Sequence, residues 1–155
     1  MSEHDSRPGA GDHALQAYLA TRGLPPDARQ RGFHGLVLAW ERIARAAARY
    51  DLTLDDWRND LDLRDIIAGA VTVASEQDLL GTRDALARAD ALFRAGTEET
   101  QRPLWSSAEH RSDPAAVHST ETGPTPSRWW YRRRPLHPGD TIRAELEDAG
   151  FLAST

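Results

Sequence analysis

Between Pro26 and Tyr50 the chain repeats apolar residues at helical intervals. Phe33, Leu36, Val37, Trp40, Ile43, Ala44, Ala47 and Tyr50 fall along one stripe, with Arg42, Arg45 and Arg49 largely off it. A stripe of that length commits the segment to an amphipathic helix, and a helix with one apolar face needs other elements to cover it. Pro26 suits the first turn of this long helix. Gly32 and Gly35 weaken its start by about 1 kcal/mol each relative to alanine, and suggest a close approach by another backbone.

The rest of the chain supplies more helices. Asp12 reads as an N-cap for a first helix carrying Leu15, Tyr18 and Leu19, closed by Gly23 and the Pro25–Pro26 turn. From Leu52 to Ser75, Trp57 and Leu61 point away from Leu63, Ile67 and Ala70 on a helical wheel. Two short helices broken near Asn59–Asp60 resolve that conflict. Ser75 and Asp78 have capping-box spacing before a helix with Leu79, Leu86 and Phe93, and Gly96 marks its end. Leu104 and Trp105 fold back on the core. A last helix begins near Asp140, with Ile142, Leu146 and Ala149 on one side. The only strand signal is weak, at Arg128 to Arg132.

The expected architecture is an all-α, single-domain helical bundle of four to six helices, with a long loop and a C-terminal aromatic and arginine arm. Residues 1–11 read as a disordered tail and 12–105 as the helical core. Residues 106–127 read as a flexible loop, rich in Ser, Thr, Pro and Gly, and 128–155 as an arm and helix packing on the core. Trp40, Trp57 and Trp105 are the expected core anchors, each needing a partner for its indole N–H. No apolar run approaches the roughly 20 residues that span a bilayer, and the polar N-terminus has no secretory h-region. With no cysteine among the 155 residues, thiol catalysis and thiolate metal sites are excluded. A cytoplasmic location is expected.

Charge is unevenly distributed on a chain of net charge -5. All 19 basic residues are arginine, which GC-rich coding explains most simply; selection for bidentate guanidinium pairing is the alternative. Asp51, Asp55, Asp56, Asp60, Asp62 and Asp65 crowd one stretch with only Arg58 and Arg64. Thr53 with Asp56, and Asp62 with Asp65, have capping-box spacing, and Asp55 suits a first turn, so caps and first-turn positions account for four or five of the six acids. The alternative is that the cluster forms a surface for a basic partner, with Asp55, Asp62 and Asp65 the candidates. The tract RWWYRRR, Arg128 to Arg134, mixes aromatic and cationic side chains. Trp129, Trp130, Tyr131 and Arg132 are candidate contacts for a protein partner. Two alternatives stay open: the tract plugs the core and neutralises the acids, or it stacks on single-stranded nucleic acid, which an acidic chain disfavours.

Catalytic patterns are missing. No EF-hand loop, HExxH, GxSxG, P-loop or GxGxxG occurs, and the six histidines (His4, His13, His34, His110, His118 and His137) have no zinc spacing. No metal or cofactor is expected, and no nucleophile or base can be named. The segment HPGDTIRAELEDAGF, His137 to Phe151, resembles the opening of bacterial helix-turn-helix antitoxins, in which an HPG turn leads into the first helix of the DNA-binding domain. Four residues follow Phe151. No turn and recognition helix is therefore expected, and DNA binding is not implied.

Two function classes follow. The first is a small acidic cytoplasmic bacterial protein that works by protein–protein contact, such as an immunity or antitoxin-like inhibitor or an adaptor of a basic partner. The second is a small helical enzyme or ligand-binding protein. Its Trp- and Tyr-lined pocket would lie under the 106–127 loop, with His34, Asp60 and Arg64 as polar candidates.

Overall fold

A computed structural model describes residues 10–104 and 128–153. The expected tail from 1 to 9, the 106–127 loop, Trp105, His4, His110 and His118 lie outside the described residues.

The protein is all-α. Among the described residues it has seven α-helices and one two-stranded ribbon: α1 (Ala10–Thr21), α2 (Pro26–Gln30), α3 (Gly32–Ala46), α4 (Leu54–Val73), α5 (Glu76–Leu79), α6 (Thr82–Ala95), β1 (Thr97–Glu99), β2 (Arg133–Pro135) and α7 (Asp140–Asp148). That exceeds the expected four to six helices because two of them, α2 and α5, are pieces of four or five residues. No helix among the described residues is long and apolar enough to cross a membrane.

The long helix expected from Pro26 to Tyr50 is instead three pieces. Gly32 takes a left-handed φ of +62° between α2 and α3, and a 3-10 turn at Ala47–Arg49 finishes the run. The stripe itself holds: Phe33, Leu36, Val37, Trp40, Ala44, Ala47 and Tyr50 are buried. Neither early glycine receives another backbone. Gly32 turns the chain, and a Cβ on Gly35 would collide with the side chain of Arg31, one turn earlier.

The larger correction concerns α4, a single helix of 20 residues with no break at Asn59–Asp60. It runs through the middle of the bundle and touches α1, α3, α7 and the 3-10 turn at Trp129–Arg132. A central helix buries different sides against different neighbours, so its apolar residues need not form one stripe. Trp57 and Leu61 enter the aromatic core, while on another side Tyr18 of α1 donates its hydroxyl to Ile66 O at 3.0 Å. The complete capping box of Thr53 and Asp56 starts the helix.

A second capping box, Ser75 with Asp78, forms as expected but starts only the short α5. Gly81, at φ +76°, then restarts the chain into α6. The start of α1 at Ala10 also precedes the expected cap at Asp12. The weak strand signal at Arg128–Arg132 is a 3-10 turn. The strand lies just after it, where Arg133–Pro135 pairs antiparallel with Thr97–Glu99.

The core is a run of aromatic rings. Trp40 lies 4.6 Å from Phe93, Phe93 stacks 5.5 Å from Trp57, and Tyr50 meets Trp57 edge-on at 4.7 Å. Such contacts contribute about 0.5–1.5 kcal/mol each beyond area burial. Both indole N–H groups are partnered. Trp40 donates to Asp90 at 2.9 Å and Trp57 to Arg133 O at 3.0 Å. The C-terminal segment is sewn to the ends of α3 and α6 by Leu136 N–H to Gly96 O and His137 N–H to Ala48 O. Gly96 is held at φ -91°, where a Cβ would lie 3.1 Å from Ala48 N, so close packing rather than a left-handed cap selects glycine there.

Candidate functional site

Helix α4 divides the aspartate cluster between two tasks. Asp55 and Asp56 lie in the exposed first turn, whereas Asp60, Asp62 and Asp65, further along, are covered by neighbouring segments (Asp60 and Asp62 half-buried, Asp65 buried).

Each inward acid meets a donor from a distant part of the chain. Asp60 accepts the Tyr50 hydroxyl at 2.6 Å, and Asp62 accepts the Tyr131 hydroxyl at 2.6 Å. Asp65 is shared: Arg22, just after α1, reaches Oδ2 at 3.2 Å, and Arg128 reaches Oδ1 at 3.0 Å. Burial pushes the Asp60 carboxyl up, only partly offset by the bond from Tyr50. The Tyr50 and Tyr131 hydroxyls are pushed well above their ordinary value, first by burial and then by the carboxylates they face. These acids anchor the C-terminal arm and α1 to the bundle.

The outward acids form a different surface. Asp51 and Asp55 are exposed at the start of α4, and Asp56 is exposed while closing the capping box, whose bonds from Thr53 lower its pKa. Helix α7 extends this surface. Glu145 Oε2 accepts the backbone N–H of Leu54 at 2.5 Å, and Asp51 lies against the backbone of Gly139, where a Cβ would collide with it. Asp148, one turn beyond Glu145 on the same side of α7, is exposed. Asp51, Asp55, Asp56 and Glu145 thus lie about the junction of α4 with α7, and Asp148 stands one turn further along α7. Arg58, the guanidinium nearest in sequence, is turned to Leu104 O at 3.1 Å and to Asp55 at 3.3 Å. Leu52, next to Asp51 in the chain, has 56 % of its surface exposed.

The candidates named from the sequence are therefore scattered. Asp55 is exposed; Asp62 and Asp65 are engaged internally. Trp130 and Tyr131 are both 4 % exposed, Trp129 is half-buried with Arg94 stacked 4.0 Å over its ring, and Arg132 is exposed. The indole N–H of Trp130 has no partner among the described residues, and Arg64 lies 4.7 Å over its ring. Sequence reasoning missed Asp51, Leu52, Glu145 and Asp148. Periodicity along α4 does not separate the two sets of aspartates, since Asp55 and Asp62 stand seven residues apart on one face, and the adjacency of α7 has no local signal either.

The polar candidates for a pocket are not brought together. His34 is exposed, Asp60 faces Tyr50, and Arg64 faces Asp90. Trp40 and Trp57 are fully enclosed by packing and line no opening. A groove of about 420 Å³ does exist beside the ribbon, bordered by Thr100, Arg102, Arg134 and Phe151. Its arginines are committed: Arg134 pairs with Glu98 at 2.7 Å, and Arg102 lies over the Phe151 ring and donates to Ala149 O. Among the described residues no group of three or more His, Asp or Glu side chains is placed to hold a metal ion.

Comparison of the chain with protein-family models, with curated proteins and with solved structures gave no match in any of the three.

Proposed function

We propose that this protein acts by binding a basic protein partner through the acidic end formed by the start of α4 and by α7. The observation that carries this reading is the exposed set Asp51, Asp55, Asp56 and Asp148 on these two segments, of which only Asp55 meets a cation among the described residues (Arg58, at 3.3 Å), with the exposed Leu52 next to Asp51 in the chain. Carboxylates in such an arrangement draw a cationic surface toward them, speed encounter and reject acidic competitors. The exposed Leu52 supplies an apolar contact beside Asp51. Trp130 and Tyr131, being inside, support the surface rather than touch the partner.

A concrete form of this activity is an immunity or antitoxin-like inhibitor that covers the cationic site of a toxin in the bacterial cytoplasm, or an adaptor that holds a basic protein. Affinity capture from the native host tests it, comparing the wild-type protein with an Asp51→Asn/Asp55→Asn/Asp148→Asn variant. A basic protein retained by the wild type, released by salt and lost with the variant is the expected result. Equal recovery on both baits contradicts the reading.

A further inference from the structure

A second surface carries the opposite charge. Helices α3 and α6 pack along each other, Trp40 against Phe93 and Ala48 against Gly96, and leave an outer furrow between them. The furrow has a volume of about 140 Å³. Its walls come from Glu41 and Arg45 on α3 and from Ala85, Arg88, Ala89 and Leu92 on α6.

Two properties make it more than a seam. Its floor is small and apolar, Ala85 and Ala89, and it is flanked by leucines that the fold leaves in solvent: Leu92 is 38 % exposed, and Leu38, one turn before Glu41 on the same face of α3, is 46 % exposed. Its rim is cationic. Arg45 and Arg88 line it against Glu41, and Arg42, one turn after Leu38, is exposed beside them on α3. Arg45 is held by Glu41 at 2.6 Å, but Arg42 and Arg88 have no ion pair or hydrogen bond among the described residues. Within a chain of net charge -5, two uncommitted guanidinium groups beside two exposed leucines form a local field opposite to that of the whole molecule.

We propose that this furrow docks an acidic amphipathic helix of a second partner protein. Apolar residues of that helix at i, i+3, i+4 and i+7 would cover Ala85, Ala89, Leu92 and Leu38, and carboxylates on its flanks would meet Arg42 and Arg88. The match follows the general mode in which an amphipathic helix lays its apolar face into a groove. Guanidinium groups suit flanking carboxylates because they pair in a bidentate fashion. A flat, phosphate-tracking nucleic-acid surface would not need the exposed leucines. With the acidic end of the bundle facing a basic partner, a cationic furrow on other helices gives the molecule two surfaces of opposite sign. The furrow stands on its own observations and does not depend on the acidic end being used.

The test is fluorescence anisotropy on the full-length protein. The probe is a labelled helical peptide of about 15 residues, with leucines at helical spacing and glutamates on both flanks. The comparison probes are the same peptide with lysine for glutamate and a single-stranded oligonucleotide of similar length. The acidic peptide is expected to bind, and both Arg42→Glu/Arg88→Glu and Leu38→Ser/Leu92→Ser to weaken it by about tenfold or more. Asp55→Asn is expected to leave that binding unchanged. All these side chains are exposed, and circular dichroism verifies that each variant is folded. Failure of the acidic peptide to bind, equal binding of the lysine peptide, tighter binding of the oligonucleotide, or indifference to both double variants would overturn the proposal.

Discussion

Arg64 in the middle of α4 and Asp90 in α6 form a two-pronged ion pair, Nε to Oδ1 and Nη2 to Oδ2, both at 2.9 Å. Their side chains are 11 % and 19 % exposed. Asp90 Oδ1 also accepts the indole N–H of Trp40, and the Arg64 guanidinium lies over Trp130. The pair therefore joins four segments around the aromatic core: α4, α6, α3 and the Trp129–Arg132 turn. Removing one partner strands the other charge. Arg64→Met is expected to cost about 3–5 kcal/mol in urea unfolding. Adding Asp90→Asn to it is expected to recover part of that loss, because the amide removes the stranded charge and keeps an acceptor for Trp40. A double variant less stable than Arg64→Met would show that the loss comes from disturbed packing rather than from the stranded carboxylate.

Gly69 faces Tyr18 of α1 so closely that a Cβ would overlap the phenol hydroxyl. Gly69→Ala is expected to cost about 1–3 kcal/mol through overpacking, despite alanine's better helix propensity. In a Tyr18→Ala background the same substitution is expected to be neutral or stabilising. Thermal unfolding of the four proteins in this cycle measures the coupling.

Alkaline pH is expected to destabilise the fold through its tyrosines. Burial raises the Tyr18, Tyr50 and Tyr131 hydroxyls above their ordinary value of 10.0, so the native state holds those protons longer than the unfolded chain does. Their contribution is complete below pH 10 and is lost as pH rises beyond it. Asp60, also raised, contributes in the same sense at lower pH: its share declines as pH climbs from the ordinary carboxylate range through its elevated value. Asp56 has the opposite sign, because its lowered pKa gives a stabilisation that is lost as pH falls. Unfolding midpoints measured across pH for Tyr50→Phe and Tyr131→Phe are expected to show a shallower alkaline decline than the wild type.

Asp65 holds α1 through Arg22 and the C-terminal arm through Arg128. Asp65→Ala is expected to speed amide exchange in both α1 and residues 128–132 while leaving α6 protected. Hydrogen exchange followed by mass spectrometry distinguishes this paired loosening from a uniform loss of stability.

The parts of this fold legible in the sequence are those set by local chemistry. The α3 stripe, both capping boxes and the Ile142–Leu146 face of α7 follow from periodicity and side-chain hydrogen bonding to nearby backbone. The parts that were not legible depend on neighbours. Trp57 and Ile67 disagree on a wheel because the two sides of α4 meet different elements, and only the assembled bundle supplies them. Gly32 looks like a weak helix residue in sequence, and the left-handed turn it makes is a property of the packed pair α2 and α3. The division among the aspartates has the same origin. Asp62 and Asp65 look as exposed as Asp55 until Tyr131, Arg22 and Arg128 arrive from far along the chain. Likewise Glu145 joins the acidic end only because α7 docks on the start of α4.

The division of the carboxylates is tested most directly by two triple substitutions measured side by side, for unfolding midpoint and for salt-dependent affinity toward the captured basic partner. Asp51→Asn/Asp55→Asn/Asp148→Asn is expected to keep the wild-type midpoint and to lose both affinity and its dependence on salt. Asp60→Asn/Asp62→Asn/Asp65→Asn is expected to lower the midpoint while any protein still folded binds normally. Outward substitutions that unfold the protein, or that leave binding intact, would contradict the assignment of those acids to a partner.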